Sequence, residues 1–365
     1  MNIKELYRPC PICLNSKCGE ILHTQKFMLP DNHILPSQYD VVSCANCGFV
    51  FADTQANQET YDRYYAEMSK YEMDYTESNT SMFVERAAWI NTVIHDKNAE
   101  IIDVGCGNGQ LLLELRKLGF SNITAFDPSQ KCIRTIQQLG INGVVGSIFD
   151  ITSSMQYDTI ILSGVLEHIC NVTKLMKTLK SLSKPGGLLL VCVPDASRYR
   201  DYDTVPYDYF NIEHINHFDE TSLINLGFFH GLQVVNFFKT TISFLNAEQP
   251  VIFCAYRNEG NAATDWRRYS TKMMLAYINH TQKNETFNHV IGKLAKSGEE
   301  LVIWGAGNYT SRLLAVSNLS KCNILMLIDN DKHKQGTSIN GKPVCPPNAL
   351  LNTRNFPTIL VASAI

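Results

Sequence analysis

Long apolar runs are missing from this 365-residue chain: stretches such as Leu188 to Val193 fall well short of the roughly 20 residues that a bilayer-crossing helix needs. Met1 to Cys10 has neither an apolar core nor a small-residue cleavage site, so no secretory signal is read there and a cytoplasmic protein is expected. Charge of one sign is also lacking, with 32 Lys and Arg against 35 Asp and Glu for a formal net charge of -3. That balance supplies no general attraction to phosphate backbones or anionic lipid, and neither a nucleic-acid nor a membrane partner is expected. Internal repeats and low-complexity tracts are absent, and 45% apolar with 18% charged residues is far from the composition of disorder. Cysteine, by contrast, is plentiful. Twelve residues spread along a long chain without a secretory signal favour reduced thiols or metal ligation over disulfides.

The length calls for two or three domains. Residues 1–55 hold five of the cysteines with Pro and Gly between them, and read as a small module. Residues 56–98 are rich in Tyr and charge, with apolar residues at helical spacing from Met82 to Ile94. From Glu100, short apolar runs (Ile101 to Val104, Ile123 to Phe126, Thr159 to Leu162, Leu188 to Val193) alternate with amphipathic segments, the pattern of βαβ units and a parallel sheet. A main domain over 56–240 and a partly helical connector over 241–298 follow. A second, smaller α/β domain is read over 299–365, from strands at Leu301 to Trp304, Ile324 to Ile328 and Thr358 to Ala362. The chain ends at Ile365 directly after an apolar strand, so the natural protein is expected to continue.

The segment Asp103-Val104-Gly105-Cys106-Gly107-Asn108-Gly109 follows an apolar strand and precedes the helical run Leu111 to Leu118. Glycines there let backbone approach a ligand with positive φ, and the helix start presents unpaired N–H groups. The spacing is D-x-G-x-G-x-G, unlike the G-x-G-x-x-G of dinucleotide sites, and the acidic Asp103 would repel a diphosphate. A ligand carrying positive charge is indicated. Asp127, directly after the second strand and flanked by Phe126 and Pro128, is placed to accept ribose hydroxyl protons. Together these groups describe S-adenosylmethionine.

The segment resembles motif I of class I S-adenosylmethionine-dependent methyltransferases, and other landmarks of that family stand in order. Gly146-Ser147-Ile148-Phe149-Asp150 resembles the stretch lining the adenine, with Ser147 where an acidic residue is frequent. Ser163-Gly164-Val165-Leu166-Glu167-His168 resembles the loop over the methyl donor, and Leu182 to Gly187 the turn before the fifth strand. The resemblance implies a doubly wound Rossmann-like sheet, with Asp103, Gly105, Gly107, Gly109, Asp127, Pro128, Ser147, Ser163 and Tyr71 around the cofactor. Glu167 and His168 either act in catalysis or pack beside the cofactor loop.

Cys10-Pro-Ile-Cys13 and Cys44-Ala-Asn-Cys47 are two C-x-x-C pairs, able to set four thiolates tetrahedrally about one Zn²⁺ in a zinc-ribbon-like module. Their separation exceeds the usual spacing, so an inserted loop, near Phe27 to Tyr39, is expected between them. Cys18, His23 and His33 are alternative ligands. Four protein ligands leave no open position, so the metal would be structural. Zinc ribbons also occur in nucleic-acid-binding proteins, but Met1 to Ala52 has only a few Lys and Arg.

Past the fifth strand, Tyr207 to Phe218 carries Glu213, His214 and His217 within five residues, at the sheet edge where substrates approach in open parallel folds. A histidine near neutral pKa held by a carboxylate suits a general base. The combination of modules resembles nucleotide-sugar C-methyltransferases, whose active-site Glu-His pair matches Glu213 and His214. The resemblance implies His214 as base, Glu213 as its orienting partner or a substrate contact, and His217 beside them. Asn211 and His217 stand where that family has tyrosines, which keeps O- or N-methylation of a glycan precursor or other small metabolite as the alternative. A non-catalytic sugar-nucleotide-binding protein is the minor one. Ile303-Trp304-Gly305-Ala306-Gly307-Asn308 and Asp329 resemble the family's terminal domain, which helps form the substrate cleft; no NAD is expected, since Thr310 stands where a third glycine belongs.

Overall fold

A computed structural model describes residues 2–67, 80–151, 156–244, 247–259, 266–284, 287–353 and 357–362. Tyr71 lies outside the described residues. The chain opens with β1 (Ile3–Glu5), β2 (Cys18–Lys26), β3 (Gln38–Cys44) and β4 (Val50–Asp53), an antiparallel run. The insertion expected between the cysteine pairs is the β2–β3 hairpin with its loop at residues 27–37. Two helices follow, α1 (Gln58–Glu67) and α2 (Ser81–Val93).

The main sheet then builds through β5 (Ile101–Val104), α3 (Gln110–Lys117), β6 (Ile123–Asp127), α4 (Gln130–Gln138), β7 (Asn142–Val145), β8 (Tyr157–Ser163), α5 (Val172–Leu182) and β9 (Ser183–Pro194). After β10 (Asn216–His217) and α6 (Glu220–His230), β11 (Gln233–Phe244) and β12 (Ala247–Arg257) complete it. The order is β11-β12-β9-β8-β5-β6-β7, parallel except for β12, which runs against both neighbours. All four residues of β5 are buried, as a central strand covered by helices on both faces requires. Local signals set the flanking helices. In α5, Val172, Leu175, Met176, Leu179 and Leu182 form one buried stripe, started by Asn171, whose side chain accepts from Lys174 N. Asp219 and Ser222 make a reciprocal capping box at the start of α6, and Gly231 ends it at φ 63°.

Two expected boundaries move. Residues 241–298 are not a connector throughout, because Ala247–Arg257 is a strand of the main sheet. The N-terminal module does not close at residue 55: β10 pairs with β4 as the fifth strand of its sheet, Asn216 opposite Phe51 and His217 opposite Val50. One apolar core runs from Cys10, Cys44 and Cys47 through Phe49 and Phe218 to Val104, Leu162, Leu175 and Leu226, while the opposite sheet face packs on α2, α3 and α4. A third cluster joins β3, α1 and the tyrosine-rich 199–215 segment to Tyr277 of α7 (Lys272–Asn284).

The last part comprises α8 (Phe287–Ser297), β13 (Glu300–Trp304), α9 (Asn308–Val316), β14 (Asn323–Ile328), β15 (Ser338–Ile339), β16 (Lys342–Cys345) and β17 (Thr358–Val361). Its sheet, in the order β15-β16-β14-β13-β17, is parallel apart from β15, and it has a core of its own.

Candidate functional site

The glycine turn at the end of β5 is shaped by three residues with positive φ: Gly105 at 76°, Gly107 at 52° and Gly109 at 77°. A Cβ on Gly105 would stand 2.6 Å from Val165 Cγ2, and one on Gly109 2.7 Å from Ile136 Cγ1. Glycine is therefore demanded twice over at these two positions, by dihedral and by space. Gly105 N donates to Phe126 O at 2.7 Å, and Gly107 N donates to Asp127 Oδ2 at 2.9 Å. Asp127 Oδ1 accepts from Ser129 N at 2.8 Å. These bonds fix the carboxylate at the strand end. Pro128 beside it is exposed.

Asp103 sits inside β5, only 2% exposed, rather than at the open strand end. Burial pushes its pKa up to about 7, with the Arg86 charge opposing and the Asp127 charge adding. Arg86, from α2, was not singled out in the sequence, because it is one charged position in a helix outside every motif. Its charge acts on Asp103 and Glu167, and its buried Nε has no hydrogen-bond partner among the described residues. Ser147 accepts from Phe149 N at the start of a short 3-10 turn and donates to Asp62 Oδ2 at 3.4 Å. The carboxylate that the sequence lacks at 147 is thus brought by α1. Ser163 ends β8, half-buried, beside Gly164 at φ 72°.

Directly after β8, a 3-10 turn over Leu166–His168 carries Glu167 and His168, both buried. Glu167 is 4% exposed; burial raises its pKa to about 7, and Oε2 has no hydrogen-bond partner among the described residues. His168 Nδ1 lies 2.9 Å from the Tyr65 hydroxyl and 3.1 Å from the Glu213 carbonyl. The His214 ring meets the His168 ring edge-on, centroids 4.8 Å apart. Ligand atoms of Glu167, His168 and His214 all fall within 4.8 Å of one another. The structure therefore joins His214 to a pair on a different loop.

Glu213 Oε1 accepts from the Tyr64 hydroxyl at 2.7 Å. Asn211 does the holding: its Oδ1 accepts from Glu213 N at 3.0 Å and His214 N at 2.8 Å. His217 is a correction. It is 0% exposed on β10, packed against Phe210 and Tyr199, and burial together with the Arg8 charge lowers its pKa to about 3. A histidine that is neutral and out of reach neither contacts substrate nor takes its proton. Tyr209 is likewise withdrawn, stacked 3.8 Å from Tyr199.

At the other end of the N-terminal sheet, the thiols of Cys10, Cys13, Cys44 and Cys47 converge within 4.8 Å of one another. Cys10 and Cys47 Sγ are 3.5 Å apart, and Cys13 and Cys44 Sγ 3.6 Å. Tetrahedral zinc at a bond length of about 2.3 Å places its sulfurs roughly 3.8 Å apart, so the donor set fits. Each knuckle turns back through a positive φ, Leu14 at 59° and Gly48 at 81°, with Leu14 N donating to Cys10 O and Gly48 N to Cys44 O. Asn15 Nδ2 donates to Cys44 Sγ at 3.4 Å, support of the kind that metal-bound thiolates receive. Cys18, His23 and His33 are not in this cluster; His23 stacks on Tyr207 and His33 lies against Tyr64.

A family model described as a methyltransferase domain matches residues 79–236, and one described as C2185-like, N-terminal, matches residues 297–365. The ubiquinone biosynthesis O-methyltransferase of Rickettsia akari (strain Hartford) is 34% identical over 103 residues, 27% of this chain and 41% of that protein. That of Rickettsia bellii (strain OSU 85-389) is 35% identical over 98 residues, 25% of this chain and 40% of its own length. The match thus spans about two fifths of these relatives. Among solved structures, magnesium protoporphyrin IX methyltransferase from Synechocystis PCC 6803 is 14% identical with a TM-score of 0.42, over 55% of this chain and 99% of that one. No helix among the described residues is long and apolar enough to cross a membrane. With the strand, glycine turn and paired aspartates in register, residues 79–236 match a methyltransferase domain.

Proposed function

We propose that the protein methylates a nucleotide-linked sugar at carbon, with His214 as the general base. The observation carrying this reading is the meeting of His214 with His168 and Glu167 just past β8, where Val165, two residues beyond the strand, packs over Gly105 of the glycine turn. Bound S-adenosylmethionine would supply an electrophilic methyl on a cationic sulfur. Asp127 would take the ribose hydroxyls. Asp103 and Arg86, of opposite charge, suit the ammonium and carboxylate of the amino-acid end. His214 Nδ1 or Nε2 would accept a proton from the carbon beside a ketone, and the resulting enolate would attack the methyl in line. His168, tied to Tyr65 and to the Glu213 carbonyl, would set the orientation of that ring pair. The contribution of the site is alignment at roughly 3 Å and removal of water.

Two features support the sugar nucleotide. In the C-terminal module, Gly305 N donates to Ile328 O at 2.7 Å and Ala306 N to Asp329 Oδ2 at 2.8 Å, repeating the Gly105 and Gly107 bonds of the main domain. A cavity of about 370 Å³, of ligand size, is lined by His23, Tyr207, Gln282, Asn288 and Arg312. In the N-terminal module, Zn²⁺ held by Cys10, Cys13, Cys44 and Cys47 would be structural. The second reading is O-methylation of a small metabolite, favoured by the two O-methyltransferases that match at 34 and 35% identity. Incubation with labelled methyl donor and a panel of nucleotide sugars, followed by NMR of the product, decides between them. A new C–CH₃ signal supports the first reading; methyl on oxygen selects the second.

A further inference from the structure

Arg8 is 5% exposed, and its four acceptors carry no charge. Nε donates to Ala52 O at 2.9 Å, Nη1 to Cys170 O at 3.2 Å, and Nη2 to Ile215 O at 2.9 Å and to Asn216 Oδ1 at 2.7 Å. Burying a guanidinium against neutral oxygens is costly unless every donor is used and something is gained in geometry. Here the planar fork spans three separate segments, which no other side chain could do with one group.

What those segments carry gives the arrangement its meaning. Arg8 lies two residues before Cys10, and Ala52 is in β4, which follows Cys47. Cys170 closes the turn that bears Glu167 and His168. Ile215 and Asn216 follow His214 directly. Other bonds converge on the same join: Ile215 N donates to Glu167 O at 2.9 Å, Ala52 N to Ile215 O at 2.9 Å, and Asn216 Nδ2 to Leu166 O and Ile169 O at 3.0 and 2.8 Å. The backbone of Arg8 is anchored in turn, its N donating to Asp53 Oδ1 at 3.2 Å.

We propose that Arg8 is a positioning residue, through which the four-cysteine cluster, closed by its zinc, holds the His214 segment against the Glu167–His168 turn. The inference rests on the reading of these residues as the reacting site. The four thiols tie residues 10–13, just past Arg8, to residues 44–47, just before β4, so opening the cluster loosens the chain on both sides of the Arg8 contacts. Relaxation then passes to residues 213–217 while the glycine turn, built on β5 and β6, keeps its shape.

The test uses the full chain with zinc bound, comparing wild type, R8K and N216A by amide hydrogen exchange, S-adenosylhomocysteine calorimetry and metal content. R8K keeps the charge but loses the fork. It is expected to retain its zinc and its S-adenosylhomocysteine affinity within about twofold, while exchange over 213–217 accelerates at least ~10-fold. Turnover of labelled methyl on the nucleotide-sugar panel should fall by about 10²-fold, the usual effect of misplacement near 1 Å. N216A should quicken exchange over 166–170, and stripping zinc from wild type with a chelator should reproduce the change at 213–217. Wild-type exchange in R8K, zinc loss from R8K, or zinc removal that leaves 213–217 untouched would each overturn the proposal. If R8K does not fold, N216A and zinc removal still decide. Should H214A turn over normally, the base assignment fails, whereas the exchange result stands apart from it.

Discussion

His214, read from the sequence as the base, and His217, three positions on and read as standing beside it, end in different environments. His214→Ala should lower turnover by ~10²-fold or more and leave S-adenosylhomocysteine affinity within about twofold, read by single-turnover kinetics and calorimetry. His217 instead governs acid stability. Its native pKa of about 3 lies below the ordinary 6.5, so the unfolded chain binds the extra proton between those values. Stability is complete above about 6.5 and is lost as pH falls toward 3; His217→Phe should flatten that dependence, measured by denaturant unfolding at pH 4.5 and 7.5. Glu167 has the reverse sign. Its pKa, raised from 4.5 to about 7, makes the native state hold a proton that the unfolded state releases, so stability declines as pH rises through that window. Glu167→Gln should therefore stabilise the protein at pH 8 and do nothing below about pH 4.5, and an equal effect at both pH values would refute the buried acid.

Elements were legible where one strand, one turn and one helix are written consecutively. The β5 turn shows this best: the three glycines and Asp127 stand in the sequence as they stand in the site. Gly105→Ala is expected to cost about 1–3 kcal/mol through positive φ and the clash with Val165, and to weaken S-adenosylhomocysteine binding in proportion, read by calorimetry. The cysteine pairs were legible for the same reason, since each knuckle is a local turn. Arg86, Asp62 and Asn211 were not. They act across α2, α1 and the 211–214 turn, and no spacing rule links residue 62 to 147 or 86 to 103.

Over the whole molecule, the cores foretell how it melts. The cysteine knot shares one apolar cluster with β5, β8 and α5, so residues 2–259 should unfold together, with chelation of zinc lowering that transition. The C-terminal module has a separate cluster, touched from the N-terminal part by Met28, whose N donates to Ser311 O at 2.8 Å. Scanning calorimetry should show a second transition for it, insensitive to zinc; a single zinc-dependent transition for the entire chain would contradict this division. The domain limits read at 55 and 240 missed β10 and β12, because a two-residue strand has no periodicity and an antiparallel edge strand after the last crossover lacks a helix to announce it.

Sequence alone determined what is local in the chain: the glycine turn, the two cysteine pairs, the alternation of strands and helices, and the order of the modules. These follow from dihedral preference and periodicity, which act over a few residues. Tertiary structure decided which histidine is fully buried, which carboxyl binds Tyr64, and that the distant Arg8 bonds to the segment after His214. Burial of a side chain is set by what packs against it from elsewhere, which leaves His217 fully enclosed and His214, three positions earlier, partly exposed.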